Sequence, residues 1–372
     1  MNLRGAGNPE PNDHTPKIWP LIGGWLFWLC VGLLSNLLSF RDGRGDDAAA
    51  CTIRPATPDD FQAAFGLILS PPGASADQRA VQDFIGFARD RGIAFDGLHV
   101  ATRGGKIVSA MLPVVSPGRT ALILCPPGGL GKASDAATAQ LIAPVCHHCA
   151  ANHIELAQTL VDPQDEALQH VFTGEGFERM AELFYLQCPS PATPDTAPPP
   201  PPPGAHWITY SQETHDLFGR TILASYENSL DCPALNGRRN IHDIIAGHQA
   251  SGSFDPQLWF LLREGDTALG VLLLSTSLRS DAIELVYLGL VPAARGRKLG
   301  ELMMRHALAT LAARKLPRLC LAVDSRNTPA LKLYYRHGMH RLTSKVALLR
   351  DLRNPAGATT ENRADFVGKV GG

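Results

Sequence analysis

Apolar and polar positions fall into two rhythms along this chain. Helical spacing marks 61–69, 75–91, 133–151 and 165–173, whereas β-rich apolar runs mark 97–102, 107–116, 119–125, 154–161 and 177–187. The stretch Thr52–Ile53–Arg54 reads as a first strand. It leads into a helix start with Thr57 as N-cap, Pro58 as the first helical residue and Asp59 and Asp60 favouring the dipole. Gly104–Gly105 is a hairpin turn. The same order then recurs: a strand at 207–210, helices at 212–226 and 239–250, a hairpin of 258–263 and 268–277, an apolar strand at 284–291, and helices at 301–314 and 327–338. The chain therefore reads as a tandem duplication of one α/β (α+β) unit, each copy a mixed central sheet flanked by helices.

The segments outside this pattern set the domain limits. Residues 1–17 are polar and read as disordered. Ile18–Phe40 is an uncharged apolar run between Lys17 and Arg41, long enough to cross a bilayer, and its first reading is a membrane anchor. A cleaved signal peptide fits less well, because Asp46–Asp47 precede the one small-residue site; translation starting downstream is the bland alternative. Residues 51–188 form the first lobe, 189–206 a linker containing the six prolines Pro198–Pro203, 207–350 the second lobe, and 351–372 a polar, disordered tail.

The second lobe carries the densest chemistry. Glu284–Val291 is a buried strand ended by Pro292, followed by Arg295–Gly296–Arg297–Lys298–Leu299–Gly300–Glu301. A strand that turns through glycines into a helix start aims several free N–H groups at one point. The helix dipole and Arg295, Arg297 and Lys298 add positive potential, which suits a phosphate or pyrophosphate. Some thirty residues on, Asn327–Thr328–Pro329–Ala330–Leu331–Lys332–Leu333–Tyr334–Tyr335–Arg336–His337–Gly338–Met339 forms a short helix stopped by Gly338.

These two stretches together resemble the GNAT superfamily of acyl-CoA-dependent N-acyltransferases. The family loop, Arg/Gln-x-x-Gly-x-Gly/Ala, is met here with Lys298 in place of its first glycine, a mild departure if only the backbone N–H is used. The second motif, Asn-x-x-Ala-x-x-Leu-Tyr-x-x-x-Gly-Phe, is met with Met339 in place of Phe. The resemblance implies acetyl-CoA as co-substrate and a primary amine, small-molecule or peptide, as acceptor. It also implies pyrophosphate contacts from Arg295, Gly296, Arg297, Lys298, Leu299, Gly300 and Glu301, and pantetheine contacts from the backbone of Leu288, Gly289 and Leu290 and from Asn327. Tyr334 is the candidate general acid, since a phenol is protonated at neutral pH; core packing is the competing reading. Glu284 is the candidate base or ammonium anchor, against a solvent-facing strand edge. Tyr226, Asp231 and His248 are candidate acceptor contacts, with a turn or cap role equally open for Asp231. The spacing from Glu284 through Leu288–Gly289–Leu290 to Arg295 is similar to mycothiol synthase, a tandem member with a degenerate first lobe, where a glutamate at the matching position contacts the amine.

The first lobe departs further. Its loop, Pro126–Pro127–Gly128–Gly129–Leu130–Gly131–Lys132, has no arginine, and Phe172 and Asp165 stand at the tyrosine and asparagine positions. Pro126 and Ala133 also exclude a P-loop there. Lys132 could still meet a phosphate. Cys146–His147–His148–Cys149 lacks a second pair at finger spacing, so no metal is expected. The eight cysteines are scattered, and a reduced compartment is the simpler reading, with the catalytic part cytoplasmic. A net charge of −1 argues against a nucleic-acid surface. The remaining alternatives are a non-catalytic acyl-CoA sensor or scaffold, and an enzyme that uses another acyl-CoA. Oligomeric state is left open.

Overall fold

The computed structural model describes residues 51–70, 77–90, 92–128, 132–191, 197–277 and 281–353. The apolar segment 18–40 expected as an anchor lies outside the described residues. Among the described residues, no helix is long and apolar enough to cross a membrane.

The first half contains β1 (Thr52–Pro55), α1 (Phe61–Leu69), α2 (Gln78–Asp90), β2 (His99–Arg103), β3 (Lys106–Ser116), β4 (Thr120–Leu124), α3 (Lys132–Ala151), β5 (Leu156–Val161), α4 (Glu166–Gly174) and β6 (Glu178–Pro189). The second repeats that order as β7 (Ala205–Thr209), α5 (His215–Tyr226), α6 (Ile241–Gln249), β8 (Trp259–Glu264), β9 (Thr267–Thr276), β10 (Ala282–Leu290), α7 (Leu299–Ala313), β11 (Arg318–Asp324), α8 (Thr328–Arg336) and β12 (His340–Asp351). Local chemistry sets the boundaries. Asp60 accepts from the Thr57 N–H at 2.7 Å and closes a capping box at a 3-10 turn that precedes α1. Gly104 and Gly105 both have positive φ, as a two-residue turn between β2 and β3 requires.

All the strands join one 12-stranded sheet in the order β1-β2-β3-β4-β5-β12-β6-β11-β10-β9-β8-β7. Two features of it matter for function. First, each half has one parallel pair, and each pair is short. β4 meets β5 at Thr120–Leu156, Ala121–Ala157 and Leu122–Gln158; β10 meets β11 at Ala282–Arg318, Ile283–Leu319 and Glu284–Cys320. Beyond those residues the strands part, and each half opens a gap in the sheet. Second, the last strands of the two halves are exchanged. β6 lies between β11 and β12, and β12 lies between β5 and β6, all antiparallel.

Helices cover both faces. α1 and α2 bury Phe65, Phe84 and Ile85 against Leu112 and Val114 of β3. α3 and α4 bury Leu141, Val145 and Phe172 on the other face. Cys146 and Cys149 belong to that second core, and burial pushes their thiols up to about 11 and about 12, so they pack as small hydrophobes. Between the halves, Arg119, which also pairs with Glu155 of its own half, pairs with Asp243, and Arg238 pairs with Glu178 at 3.0 Å.

Candidate functional site

The strand-turn-helix of the second lobe builds an array of donors. Gly296 and Lys298 both have positive φ, 77° and 60°. Left-handed residues at alternate positions turn successive N–H groups toward a common concavity. Among the described residues, none of the backbone N–H groups from Gly296 to Gly300 donates to a protein acceptor; Glu301 is the first to do so, to the Lys298 carbonyl at 3.1 Å. They sit at the N-terminus of α7, where an anion is favoured. Leu288, Gly289 and Leu290 pair with Leu272, Val271 and Gly270 of β9 on one side, and β11 has already diverged on the other. Close packing requires the two glycines, since a Cβ on Gly270 would strike the Gly289 carbonyl and one on Gly289 would strike Ser225 and Tyr287.

The geometry corrects two expectations about this loop. Lys298 is not a mild departure from the glycine pattern, because its backbone is left-handed, where a Cβ is strained. Arg295 does not present its guanidinium as a free cation. It donates to the carbonyls of Leu290 (3.2 Å), Ser225 (3.0 Å), Glu227 (2.7 Å) and Asn228 (3.4 Å), and so fastens the loop to the C-terminal end of α5. Arg297 pairs with Glu264 at 2.9 Å, and the Glu301 carboxylate lies 2.8 Å from His337 Nε2.

Between the lobes lies a cavity of about 310 Å³. It gathers Glu284, Tyr226, Asp231 and His248, all four expected acceptor-side residues, with Tyr287 and Arg239 beside them. The first lobe supplies the facing wall through Thr120, Leu122, Leu156, Gln158, Leu160 and Met180, at its own sheet gap. Glu284 is at the last parallel pair before β10 leaves β11, and only 6% of it is exposed. Its Oε1 is buried without a hydrogen-bond partner among the described residues, and burial raises its pKa from 4.5 to about 8. A solvent-facing strand edge is thereby excluded.

His248 stacks on Tyr287 with ring centroids 5.5 Å apart. Burial, reinforced by the nearby Arg239 charge, pushes its pKa down to about 3, so it is neutral. Tyr287 and Ser225 share a 2.8 Å hydroxyl contact. Ser225 donates to the Ile222 carbonyl at 2.7 Å, which leaves Tyr287 as the donor to Ser225. Tyr226 packs edge-on to Tyr287 at 5.6 Å, and burial raises its hydroxyl to about 12.

Asp231 is buried, with its pKa raised by that burial, and its Oδ1 accepts from the Asp324 N–H at 3.1 Å. Asp324 in turn accepts from Cys232 N–H at 3.2 Å and from Arg326. Asp231 therefore ties its loop to the end of β11, which is neither a simple cap nor a free acceptor contact. Asn327 caps α8 by accepting from the Ala330 N–H at 3.4 Å and lies beside Asp231, whose charge it helps to hold. Tyr334 is 6% exposed, packed with Leu321, Leu331 and Met339, and burial plus the Asp231 charge raise its pKa above the ordinary phenol value. It is firmly protonated.

The first lobe shows the same frame with altered chemistry. Phe172 and Tyr334 are both the seventh residue of their helices, and Phe172 is fully buried against Phe177. Asp165 caps α4 as Asn327 caps α8, accepting from the Leu168 N–H at 3.0 Å. Its other oxygen accepts from the Gly128 N–H at 2.6 Å, so a carboxylate occupies the donor end of that gap.

A mostly antiparallel sheet that parts beside a loop of free N–H groups defines a mixed α/β fold with an anion-binding turn at its gap. Residues 227–339 match the model of the Acetyltransferase (GNAT) family. A mycothiol acetyltransferase from Jonesia denitrificans is 29% identical over 120 residues, a stretch covering 32% of this chain and 38% of that protein's length. Among solved structures, a GCN5-related N-acetyltransferase from Sphaerobacter thermophilus shares the fold, with a TM-score of 0.52, 16% identity, and 81% of this chain and 96% of that chain covered. Residues 227–339 of the second lobe are thus similar to GNAT acetyltransferases, and the matched stretch spans well under half the length of that curated relative.

The sequence reads residues 51–188 as a structural or substrate-shaping lobe, but Arg239, Tyr287 and the individual residues of the first-lobe wall were not singled out. Tyr287 had a signal, a hydroxyl inside an apolar strand. Arg239, next to Arg238 and just before a helix, reads as a solvated surface residue, and nothing local reveals that the first lobe faces it.

Proposed function

We propose that the second lobe transfers an acetyl group from acetyl-CoA to a primary amine by direct attack. The observation that carries this reading is Glu284, a buried carboxyl group whose Oε1 has no hydrogen-bond partner among the described residues and which lines the cavity where the sheet opens. The residues present fit acetyl-CoA. The free N–H groups of Gly296–Gly300 suit its pyrophosphate, with Arg297 and Lys298 adding charge and Arg295 holding the loop in shape. The backbone of Leu288, Gly289 and Leu290 borders the gap into which the pantetheine would run.

When bound, acetyl-CoA supplies an activated acyl carbon with a thiolate leaving group. Glu284 takes one proton from the acceptor ammonium and frees its lone pair. As the C–N bond forms and the C–S bond breaks, Tyr334 gives its proton to the sulfur, and the proton lost from nitrogen restores the phenol. One proton stays on the amide, and the proton on Glu284 passes to solvent. His248, held neutral, can accept or relay a hydrogen bond in the same cavity.

Thiol release dependent on added amine tests the proposal. Tyr334→Phe should lower turnover by roughly 10²-fold or more while the affinity for acetyl-CoA stays the same. Unchanged turnover removes Tyr334 from the mechanism. Acetyl-CoA binding without thiol release from any amine favours an acyl-CoA sensor instead.

A further inference from the structure

The acceptor cavity contains a cation as well as a carboxylate. Arg239 lines it together with Glu284. Its Nη2 donates to the Asp243 carbonyl at 2.9 Å, and its Nε is buried without an acceptor among the described residues. The Asp243 carboxylate is taken by Arg119. Among the described residues, no carboxylate pairs with Arg239. The neighbouring ring, His248, is neutral and supplies no countercharge. Of the other carboxylates in the cavity, Asp231 is bonded to the Asp324 N–H. A guanidinium does not lose its proton in a protein, so this half-buried charge, with its Nε buried and unpartnered among the described residues, favours an anion in the cavity.

Resting on the amine-acceptor reading, we infer that the acceptor is an amine that also carries a carboxylate, an amino acid or a close analogue. Its amino group faces Glu284 and its carboxylate pairs with the Arg239 guanidinium. The wall between them is apolar on the first-lobe side, with Leu122, Leu156, Leu160 and Met180, so an aliphatic body is favoured over a sugar. A cavity of about 310 Å³ matches a small amino acid in size. Arg239 is thus a specificity-determining residue, and the first lobe shapes the acceptor without doing chemistry.

The test uses the full chain with saturating acetyl-CoA and matched acceptors. Leucine and β-alanine carry the carboxylate; isoamylamine and ethylamine are the same molecules without it. The expected result is a kcat/KM at least about 10-fold higher for the better amino acid than for its matched amine. Arg239→Gln should collapse that ratio toward one, and Arg239→Lys, which keeps the charge but loses the fork, should restore part of it. Equal rates for the matched pairs in the wild type, or a ratio untouched by Arg239→Gln, overturn the inference and leave the acetyltransferase reading standing. If no amine releases thiol, that reading fails, and the inference is read from binding alone. Isocaproate, which has the carboxylate and no amine, should then raise the Tm of the wild type but not of Arg239→Gln. Equal shifts in the two proteins, or none in either, overturn it.

Discussion

Lys298 carries a side chain through the left-handed region at φ 60° and ψ 15°, at a cost of roughly 1–2 kcal/mol. Lys298→Gly relieves that strain, and the freer unfolded glycine gives back about 0.5–1 kcal/mol. The variant should gain up to about 1 kcal/mol in a denaturant titration; a lower midpoint would mean the lysine side chain holds the turn. Glu284 makes a pH-dependent prediction. Its carboxyl titrates near 4.5 when exposed and at about 8 when folded, so between those values the native state binds the extra proton. Stability therefore falls as pH rises through that window, by an upper limit of about 5 kcal/mol, with the full loss above it. Glu284→Gln should raise Tm at about pH 9 and leave it little changed at about pH 4. The same group should give kcat/KM an acid limb near about pH 8, absent in the glutamine variant. Glu284 was legible in the sequence because Ile283 and Leu285 flank it in an apolar run. The handedness at Lys298 was legible only as a missing glycine, and Arg239 was not legible at all.

At the scale of elements, most helices and strands followed from their spacing, with ends moved by a few residues, but β11 and β12 were not read from the sequence. The exchange of β6 and β12 left no such mark. Both strands are largely buried, and a strand's pattern is the same whichever neighbours pair with it. Pairing is decided by distant partners, as in Leu349 with Gln158 and Leu319 with Cys188. The exchange has a mechanical consequence, because β12 seals β5 of the first lobe. A chain ending at residue 339 should lose both lobes together, in one transition or through aggregation along the bared edges of β5 and β6. A first lobe that melts at its original temperature in that truncated chain would contradict the observed pairing. The short parallel pairs at Thr120–Leu122 and Ala282–Glu284 were likewise beyond local reading, although they create both sheet gaps.

Across the whole molecule, one frame is used twice for different ends. The second lobe leaves the N–H groups of Gly296–Gly300 free and keeps a phenol at Tyr334. In the first, Asp165 fills the Gly128 N–H and a phenylalanine, Phe172, stands at the phenol's position, while its wall lines the cavity between the lobes. The duplication was plain in the sequence from the repeated order of elements. The division of labour was half visible, in Phe172 and the missing arginine, but the carboxylate of Asp165 turned into the gap emerged only from the fold. A carboxylate there occupies a backbone donor and repels a pyrophosphate, which sets the stoichiometry. Calorimetric titration of acetyl-CoA into the full chain should give one site per chain. Two equivalent sites would contradict the closed first lobe, and no binding would contradict acetyl transfer by the second.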